Sequence, residues 1–406
     1  MRFILLIIFC INIASADCMG DVNFDNSIDT EDIIMMVQHI LHMNIMDTIS
    51  FQNADMDGNS NVNIYDLSRL VDIIMESEDC NGFTPIDLSL DWETEQDVSY
   101  FDSELLNQVI NENIGQMQSI KGIVVIHRGK IVAEEYFNNS FMSETYNIWS
   151  VTKSYISTLV GQAIDRGYIE DQYIYLNNIF TENTYTNQVT IEHLLTMSSG
   201  WPENWAYMYL PNPLNTIINT ALIWSPGSSW LYNNSVCHLN SHVINELTEM
   251  SPRAFAMENL FPQLGISDPY WADDQADIHN GSYDLHLTLR EMVKLGQLYL
   301  QDGYSLDEEV LSVEWINEAT SPQINNWYGY LWWLPGVGYL ALGLGGQYIA
   351  VIPELDLVVG THSTTQSTDA YTDQLLSYIY NQIVPIFDFE GRVNDRTLYL
   401  NQIREY

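Results

Sequence analysis

Positive charge is what this sequence has least of. Lys and Arg number 13 against 54 Asp and Glu in 406 residues, a formal net charge of −41 at pH 7. A polyanion of that strength is repelled by phosphate backbones, which excludes a nucleic-acid-binding role. Cysteine is scarce too, with four in the chain, and a disulfide-dense miniature scaffold is thereby excluded. After the first 16 residues no apolar run approaches the ~18 residues a membrane span requires. What is present is 46% apolar and 12% aromatic residues, enough for large cores and for two or three domains, so most of the chain is not disordered.

Residues 1–16 combine one cation, Arg2, with an apolar run from Phe3 to Ile13 and the small-residue triplet Ala14-Ser15-Ala16. That is the layout of a secretory leader. The expectation is a chain beginning at Asp17, secreted to the extracellular side, with no membrane attachment after cleavage. Cys10 would leave with the leader. In an oxidising compartment Cys18 and Cys80 invite pairing, and the bridge would close a loop worth about 4 kcal/mol in the chain-entropy description. Cys237 stands alone far downstream and reads as a small buried apolar residue.

Between Cys18 and Cys80 one acidic pattern occurs twice, beginning at Asp21 and again at Asp55. Oxygen-bearing side chains fall at positions 1, 3, 5, 9 and 12: Asp21, Asn23, Asp25, Asp29 and Asp32, then Asp55, Asp57, Asn59, Asn63 and Asp66. Position 7, Ser27 or Asn61, would contribute a main-chain carbonyl. This is the spacing with which a loop wraps Ca²⁺ in hard oxygen ligands. Each loop runs into a helical pattern, with Ile33, Ile34, Val37, Ile40 and Leu41 on one face after the first and Leu67, Leu70, Val71 and Ile74 after the second. Paired loops ending in Asp, each followed by one helix, resemble a dockerin domain. The resemblance implies two structural Ca²⁺ sites and a cohesin-type docking protein as partner. Asn26 and Ser60 stand at position 6, where Gly usually makes the turn; Asn tolerates the left-handed backbone better than Ser, so the second site is expected to be the weaker.

Further on, Gly122–His127 and Lys130–Phe137 are β-rich runs joined at Arg128-Gly129, the pattern of a hairpin. Asn147-Ile148-Trp149-Ser150-Val151-Thr152-Lys153 then opens an apolar helix that ends near Arg166. Ser150 and Lys153 are three apart at a helix start, where side chains are neighbours at about 5–6 Å. A serine hydroxyl is a weak nucleophile until a nearby base removes its proton. With four lysines and 31 serines, Ser-x-x-Lys arises by chance about 0.3 times in a chain of this length, so the pair alone decides nothing.

The ordered set decides it. Tyr232-Asn233-Asn234 follows well downstream, and Gly343-Leu344-Gly345-Gly346-Gln347 enters a strand near the end. Ile191–Trp201, Leu287–Arg290 and Tyr328–Trp333 stand at intervals along the same stretch of chain. Together they resemble the serine β-lactamase and D-alanyl-D-alanine-peptidase superfamily, in its class C-like branch of esterases and 6-aminohexanoate-dimer hydrolases. The resemblance implies Ser150 as nucleophile, Lys153 with Tyr232 as general base, and Asn234 orienting Lys153 or substrate. It also implies an oxyanion hole from the N–H groups of Ser150 and Leu344. Where the superfamily carries Lys-Thr-Gly or His-x-Gly, this chain reads Ala341-Leu342-Gly343. The cation that would hold a substrate carboxylate is missing, which favours a small neutral ester or amide over a β-lactam or a D-Ala-D-Ala peptide. A catalytically silent binding protein docked through the calcium domain is the rival reading; the intact set Ser150, Lys153, Tyr232 and Asn234 stands against it.

His238, His242 and Glu246 share one helical stripe that could hold zinc, but no open-site signature accompanies them, and no catalytic cofactor is expected. His193 reads as a structural histidine, and Trp201, Trp205, Tyr207, Trp332 and Trp333 as core or pocket wall. The expected architecture is a small all-α dockerin-like domain before an α/β (α+β) hydrolase domain with an antiparallel sheet and an inserted helical subdomain. The boundaries read as leader 1–16, calcium domain 17–80, linker 81–96, hydrolase 97–385 and an unassigned tail 386–406. Residues 17–80 hold one Arg against 14 acidic residues, so calcium explains the densest acidity but not most of it. The remainder suits a saline exterior and disfavours anionic substrates.

Overall fold

In a computed structural model of the protein, the residues described are 22, 30–41, 46, 51, 54, 62–75, 85–180, 184–365, 368–389, 391 and 393. They fall into two compact units that divide between Thr84 and Pro85.

The first unit contains helices α1 (Thr30–Ile40) and α2 (Ile64–Met75). Met36 and Leu70 form a small core with Val22, Ala54 and Val62, against which Ile33, Ile40 and Leu67 pack. The apolar faces are narrower than their sequence suggests: Ile34, Leu41 and Val71 are exposed. Two short helices can bury only one stripe each. Asp32 and Asp66, the closing residues of the two loops, are buried, and each accepts a main-chain N–H, from Val22 at 2.7 Å and from Asn63 at 2.8 Å. A carboxylate held out of water beside a helix start is stabilised by opposite charge, so this pair fits Ca²⁺. The remaining expected ligands except Asn63, together with Cys18 and Cys80, lie outside the described residues. Among the described residues there is no disulfide, and Cys237 is a buried free thiol.

The second unit is built on one antiparallel sheet. Its strands are β1 (Ile120–His127), β2 (Lys130–Tyr136), β3 (Tyr339–Gly343), β4 (Gln347–Ile352) and β5 (Leu357–Ser363), ordered β2-β1-β5-β4-β3. The β1–β2 hairpin closes with His127 opposite Lys130, and Arg128 and Gly129 both take positive φ, 52° and 75°. Two left-handed residues make the primed turn whose twist matches paired strands. Every residue of β4 and β5 is buried, which accounts for the apolar runs Tyr348–Ile352 and Leu357–Gly360 within them.

Between β2 and β3 the chain forms a helical region. Its main members are α3 (Thr152–Asp165), α4 (Asn234–Thr248) and α5 (Leu289–Leu300). Helix α5 packs across β1, β4 and β5, and α4 packs on α3. Helix α3 is buried from Thr152 through Ala163, so it is the spine of the unit.

Two expected boundaries move. The stretch 81–96 is no free linker in its second half: Leu88 and Trp92 are buried, Trp92 Nε1 donates to the Arg290 carbonyl at 3.0 Å, and Lys294 Nζ donates to the carbonyls of Leu88 and Leu90. Leu88 and Trp92 are the buried anchors of this strap, and Ile86 packs against the same core. At the other end Phe387, beyond the expected limit of 385, is buried against Phe101 and His127.

Candidate active site

Ser150 lies in a short 3₁₀ turn, Trp149–Val151, that leads directly into α3. The turn is tight because Trp149 has φ +48°, a conformation that costs a bulky residue on the order of 1–3 kcal/mol. Asn147 holds it there. Its Oδ1 accepts the Trp149 N–H at 2.8 Å and the Asp284 N–H at 3.2 Å, while its Nδ2 donates to the Asp284 carboxylate. Burial raises the pKa of Asp284. Neither Asn147 nor Asp284 carries a role in the motifs read above, and they are remote from each other in sequence, so only the fold could pair them.

Lys153 is one helical turn on, at the start of α3. Its side chain is 2% exposed. Nζ is 3.0 Å from Ser150 Oγ, 2.8 Å from Asn234 Oδ1 and 2.9 Å from the Ser282 carbonyl oxygen. An ammonium has three N–H donors and no acceptor, so these three partners satisfy it completely. No carboxylate is among them. The nitrogen also lies over the Tyr232 ring, 4.8 Å from its centroid, a cation–π contact. Tyr232 is half-buried and stacks on Trp333 at 5.8 Å.

Asn233 and Asn234 divide the labour at the start of α4. Asn233 is the N-cap, its side chain accepting from the Val236 N–H at 2.9 Å. Asn234, buried, is thereby turned toward Lys153. The carboxylate of Glu203 accepts the main-chain N–H groups of Asn234 and Ser235, placing negative charge at the positive end of the helix. Sequence reading missed Glu203 and Ser282. An acid on a distant upstream loop gives no periodic signal, and a main-chain carbonyl has no side-chain signature.

The end of β3 closes the other side. Gly343 lies so near this segment that a Cβ there would run into the Ile148 carbonyl oxygen. Leu344, next in the turn, is exposed. Ala341 is buried on β3. Among the described residues, Lys121 is held on the Asn138 carbonyl, Lys130 by Glu93, Lys294 on Leu88 and Leu90, and Arg290 by Glu134 and Asp91, so these four are engaged elsewhere. A cavity of about 360 Å³ adjoins Glu203, lined by Trp201, Asn204, Trp205 and Ile217 among others. Trp205 is exposed there, whereas Tyr207, Trp332 and Trp333 are core.

A hydroxyl beside a saturated cation and a phenol ring is an acyl-transfer arrangement in search of a carbonyl. Residues 110–380 match the family model for beta-lactamase. The chain belongs to the beta-lactamase family. It is therefore a hydrolase of that fold, and residues 19–75 match the dockerin type I domain, a domain that generally binds calcium and docks to a cohesin-type partner. Among curated proteins, an uncharacterized protein of Alkalihalophilus pseudofirmus is 23% identical over 315 residues, 64% of this chain and 87% of that one. A Bacillus anthracis protein assigned as a 6-aminohexanoate-dimer hydrolase superposes with TM-score 0.63 at 19% identity, covering 75% of this chain and 89% of its own. A Bacteroides dorei protein assigned as a beta-lactamase gives 0.61 at 14%, covering 71% and 99%. A penicillin-binding protein homologue from Pyrococcus abyssi gives 0.54 at 18%, covering 69% and 78%. At these identities the structural likeness shows the fold.

The histidines play other parts. His193 closes a capping box on the helix Ile191–Leu195, its Nδ1 accepting the Thr190 N–H at 3.1 Å. The expected stripe His238, His242 and Glu246 is broken, because Glu246 is exposed. Asp274 takes its place, with Oδ2 at 2.9 Å from His238 Nε2 and 3.2 Å from His242 Nε2, all three side chains buried.

Proposed function

We propose that this chain is a secreted serine hydrolase that cleaves a neutral ester or linear amide through an acyl-enzyme on Ser150. The observation that carries the reading is the 3.0 Å contact of Lys153 Nζ with Ser150 Oγ under the Tyr232 ring. As an ammonium with every N–H committed, Lys153 is a donor and cannot itself take the serine proton. The base is instead Tyr232, whose ring lies against that ammonium and which, as the phenolate, takes the proton as Ser150 Oγ attacks the substrate carbonyl carbon. The N–H groups of Ser150 and Leu344 stabilise the tetrahedral oxyanion. When the C–O or C–N bond breaks, Tyr232 returns the proton to the leaving alcohol or amine. Water then attacks the acyl ester, giving a proton to Tyr232 that passes back to Ser150, and the acid is released.

Neutral substrates are favoured by what surrounds the lysine. Ala341 stands where a carboxylate-binding cation would, and the field of a −41 chain repels anions. Export by residues 1–16, two Ca²⁺ sites in the dockerin unit and attachment to a cohesin-type protein complete the reading. The test is a hydrolysis panel of short-chain aryl esters, a linear amide, a chromogenic β-lactam and a D-Ala-D-Ala peptide, run on the full chain and on Ser150→Ala. Ester or amide turnover lost in Ser150→Ala is the expected result. A dominant β-lactam rate would overturn the substrate class, and absence of Ser150-dependent turnover together with absence of fluorophosphonate labelling would overturn the enzyme.

A further inference from the structure

The buried His238–Asp274 pair has the look of half a catalytic triad, yet it does not touch Ser150. His238 is on α4 one turn after Asn234, and its ring is wholly buried. Nε2 meets Asp274 Oδ2 at 2.9 Å, and Nδ1 accepts the main-chain N–H of Gly281 at 3.1 Å. Since Nδ1 is an acceptor, the ring's proton is on Nε2 and is donated to the carboxylate. Asp274 is held in turn, its Oδ1 accepting the N–H groups of Ala276 at 2.7 Å and Ile278 at 3.1 Å.

This bonding argues against a metal at His238, His242 and Asp274, although the three offer ligand atoms within 4.8 Å of one another. A metal on His238 Nε2 would require the ring proton on Nδ1. There it would face the Gly281 N–H, donor against donor.

Gly281 is next to Ser282, whose carbonyl takes one of the three Lys153 N–H groups. The segment is pressed onto α4: a Cβ on Gly281 would stand 2.6 Å from Ser241 Oγ. Ser282 Oγ donates to the Asn234 carbonyl at 2.6 Å, and Cys237 Sγ donates to the Gly281 carbonyl at 3.3 Å. One main-chain N–H in this short stretch is received by an imidazole, that of the residue before Ser282, while the Ser282 N–H itself is accepted by Asn280 Oδ1 at 3.0 Å.

We infer that His238 is a positioning residue: by accepting the Gly281 N–H, and with its ring fixed by Asp274, it aims the Ser282 carbonyl at Lys153 and so helps keep that lysine an ammonium beside Ser150. The catalytic meaning rests on the function proposed above; the effect on Lys153 does not. The titratable neighbours of His238 are Asp274, His242 at 4.9 Å and Tyr207 at 5.1 Å between ring centroids, with the Cys237 thiol alongside. Burial holds His238 down to about 4 and Cys237 up to about 11, and burial raises Tyr207 as well. Around neutral pH the ring is therefore the uncharged acceptor this role needs.

Three substitutions separate its two hydrogen bonds. His238→Asn keeps an acceptor near Nδ1 and loses the reach to Asp274. His238→Gln keeps that reach and loses the acceptor, and His238→Leu loses both. The full chain, labelled with ¹³C-lysine, gives four Cε signals, that of Lys153 assigned by its loss in Lys153→Met. The Lys153 titration midpoint is expected to fall by about one pH unit in His238→Gln and His238→Leu, the scale of one weakened hydrogen bond to a charge. In His238→Asn it is expected to stay near wild type, and Ser150 labelling by a fluorophosphonate should follow the same order. Should His238→Leu not fold, the Asn and Gln variants carry the comparison. An unmoved midpoint in folded His238→Gln, a midpoint in His238→Asn displaced as far as in His238→Gln, or stoichiometric zinc removable by chelation overturns the inference. A shifted midpoint in a chain with no Ser150-dependent reactivity would leave the inference standing and sink the hydrolase reading.

Discussion

Asn234 Oδ1 stands 2.8 Å from the Lys153 ammonium while the Asn234 main-chain N–H is held by the Glu203 carboxylate. One residue thus ties the buried lysine to the capped end of α4. Asn234→Ala is expected to lower kcat/KM by about 10- to 100-fold, the worth of one hydrogen bond to a charged group. Asn234→Asp keeps an acceptor and adds a negative charge, so the limb of the pH–rate profile that reports Lys153 should move to higher pH. A shift to lower pH in the Asp variant would contradict the contact.

Lys153→Met separates chemistry from stability. It removes a buried ammonium, whose desolvation costs several kcal/mol, but strands three acceptors, of which the buried Asn234 Oδ1 and Ser282 carbonyl cost about 1–3 kcal/mol each. These terms nearly cancel. Thermal unfolding should move by only a few degrees, while Ser150 labelling falls by at least about 10³-fold. A large drop in Tm would mark the lysine as structural.

Buried neutral histidines set the acid limit of the larger unit. Burial depresses His127 and His238 to about 4 and His362 to about 3. Below the ordinary histidine value of about 6.5 the unfolded chain binds protons that the folded chain refuses, so stability is present at neutral pH and falls as pH drops through 6.5 toward 4. Urea midpoints from pH 7 to 4.5 should decline accordingly. In His362→Asn, which has nothing to titrate there, the decline should be shallower.

The strap at 85–96 gives a deletion pair. A chain beginning at Pro85 keeps Leu88, Trp92 and both carbonyl acceptors of Lys294, whereas one beginning at Asp97 loses them. The shorter chain should be less stable by about 3–5 kcal/mol or more, the cost of emptying two large apolar sites. Equal denaturation midpoints for the two would show the strap to be dispensable.

Chelation tests the smaller unit. With EGTA, the carboxylates of Asp32 and Asp66 would lose the calcium they are expected to hold, and residues 30–75 should become sensitive to limited proteolysis. Hydrolysis at Ser150 should persist in the same sample. Calcium-independent protection of 30–75 would mean that packing of Met36 and Leu70 suffices alone.

Much of this was legible in sequence because it repeats or alternates. The helices that follow the two acidic segments, the Arg128-Gly129 hairpin and the run from Ser150 into α3 each follow a local rule of turn chemistry or helical spacing. The parts not legible are pairings across long separations. Asn147 with Asp284, Glu203 with the start of α4, and Asp274 with His238 join segments remote in the chain, and no periodicity encodes them. His238 and His242 did signal themselves through their i, i+4 spacing, but their partner came from another segment. The polar look of 81–96 concealed two anchors, because Leu88 and Trp92 alternate with Asp87, Ser89, Asp91 and Glu93.

The saturation of Lys153 has a consequence for anyone designing ligands against this chain. Each of its N–H groups already has a home in Ser150, Asn234 or the Ser282 carbonyl, so the lysine is a fixed charge, not a swinging arm that could greet a guest. An inhibitor bearing an acidic arm aimed at it would have to evict a protein partner and would recover little. Potency should come from an electrophilic warhead on Ser150 and from how well an uncharged scaffold fits beside the half-buried Tyr232.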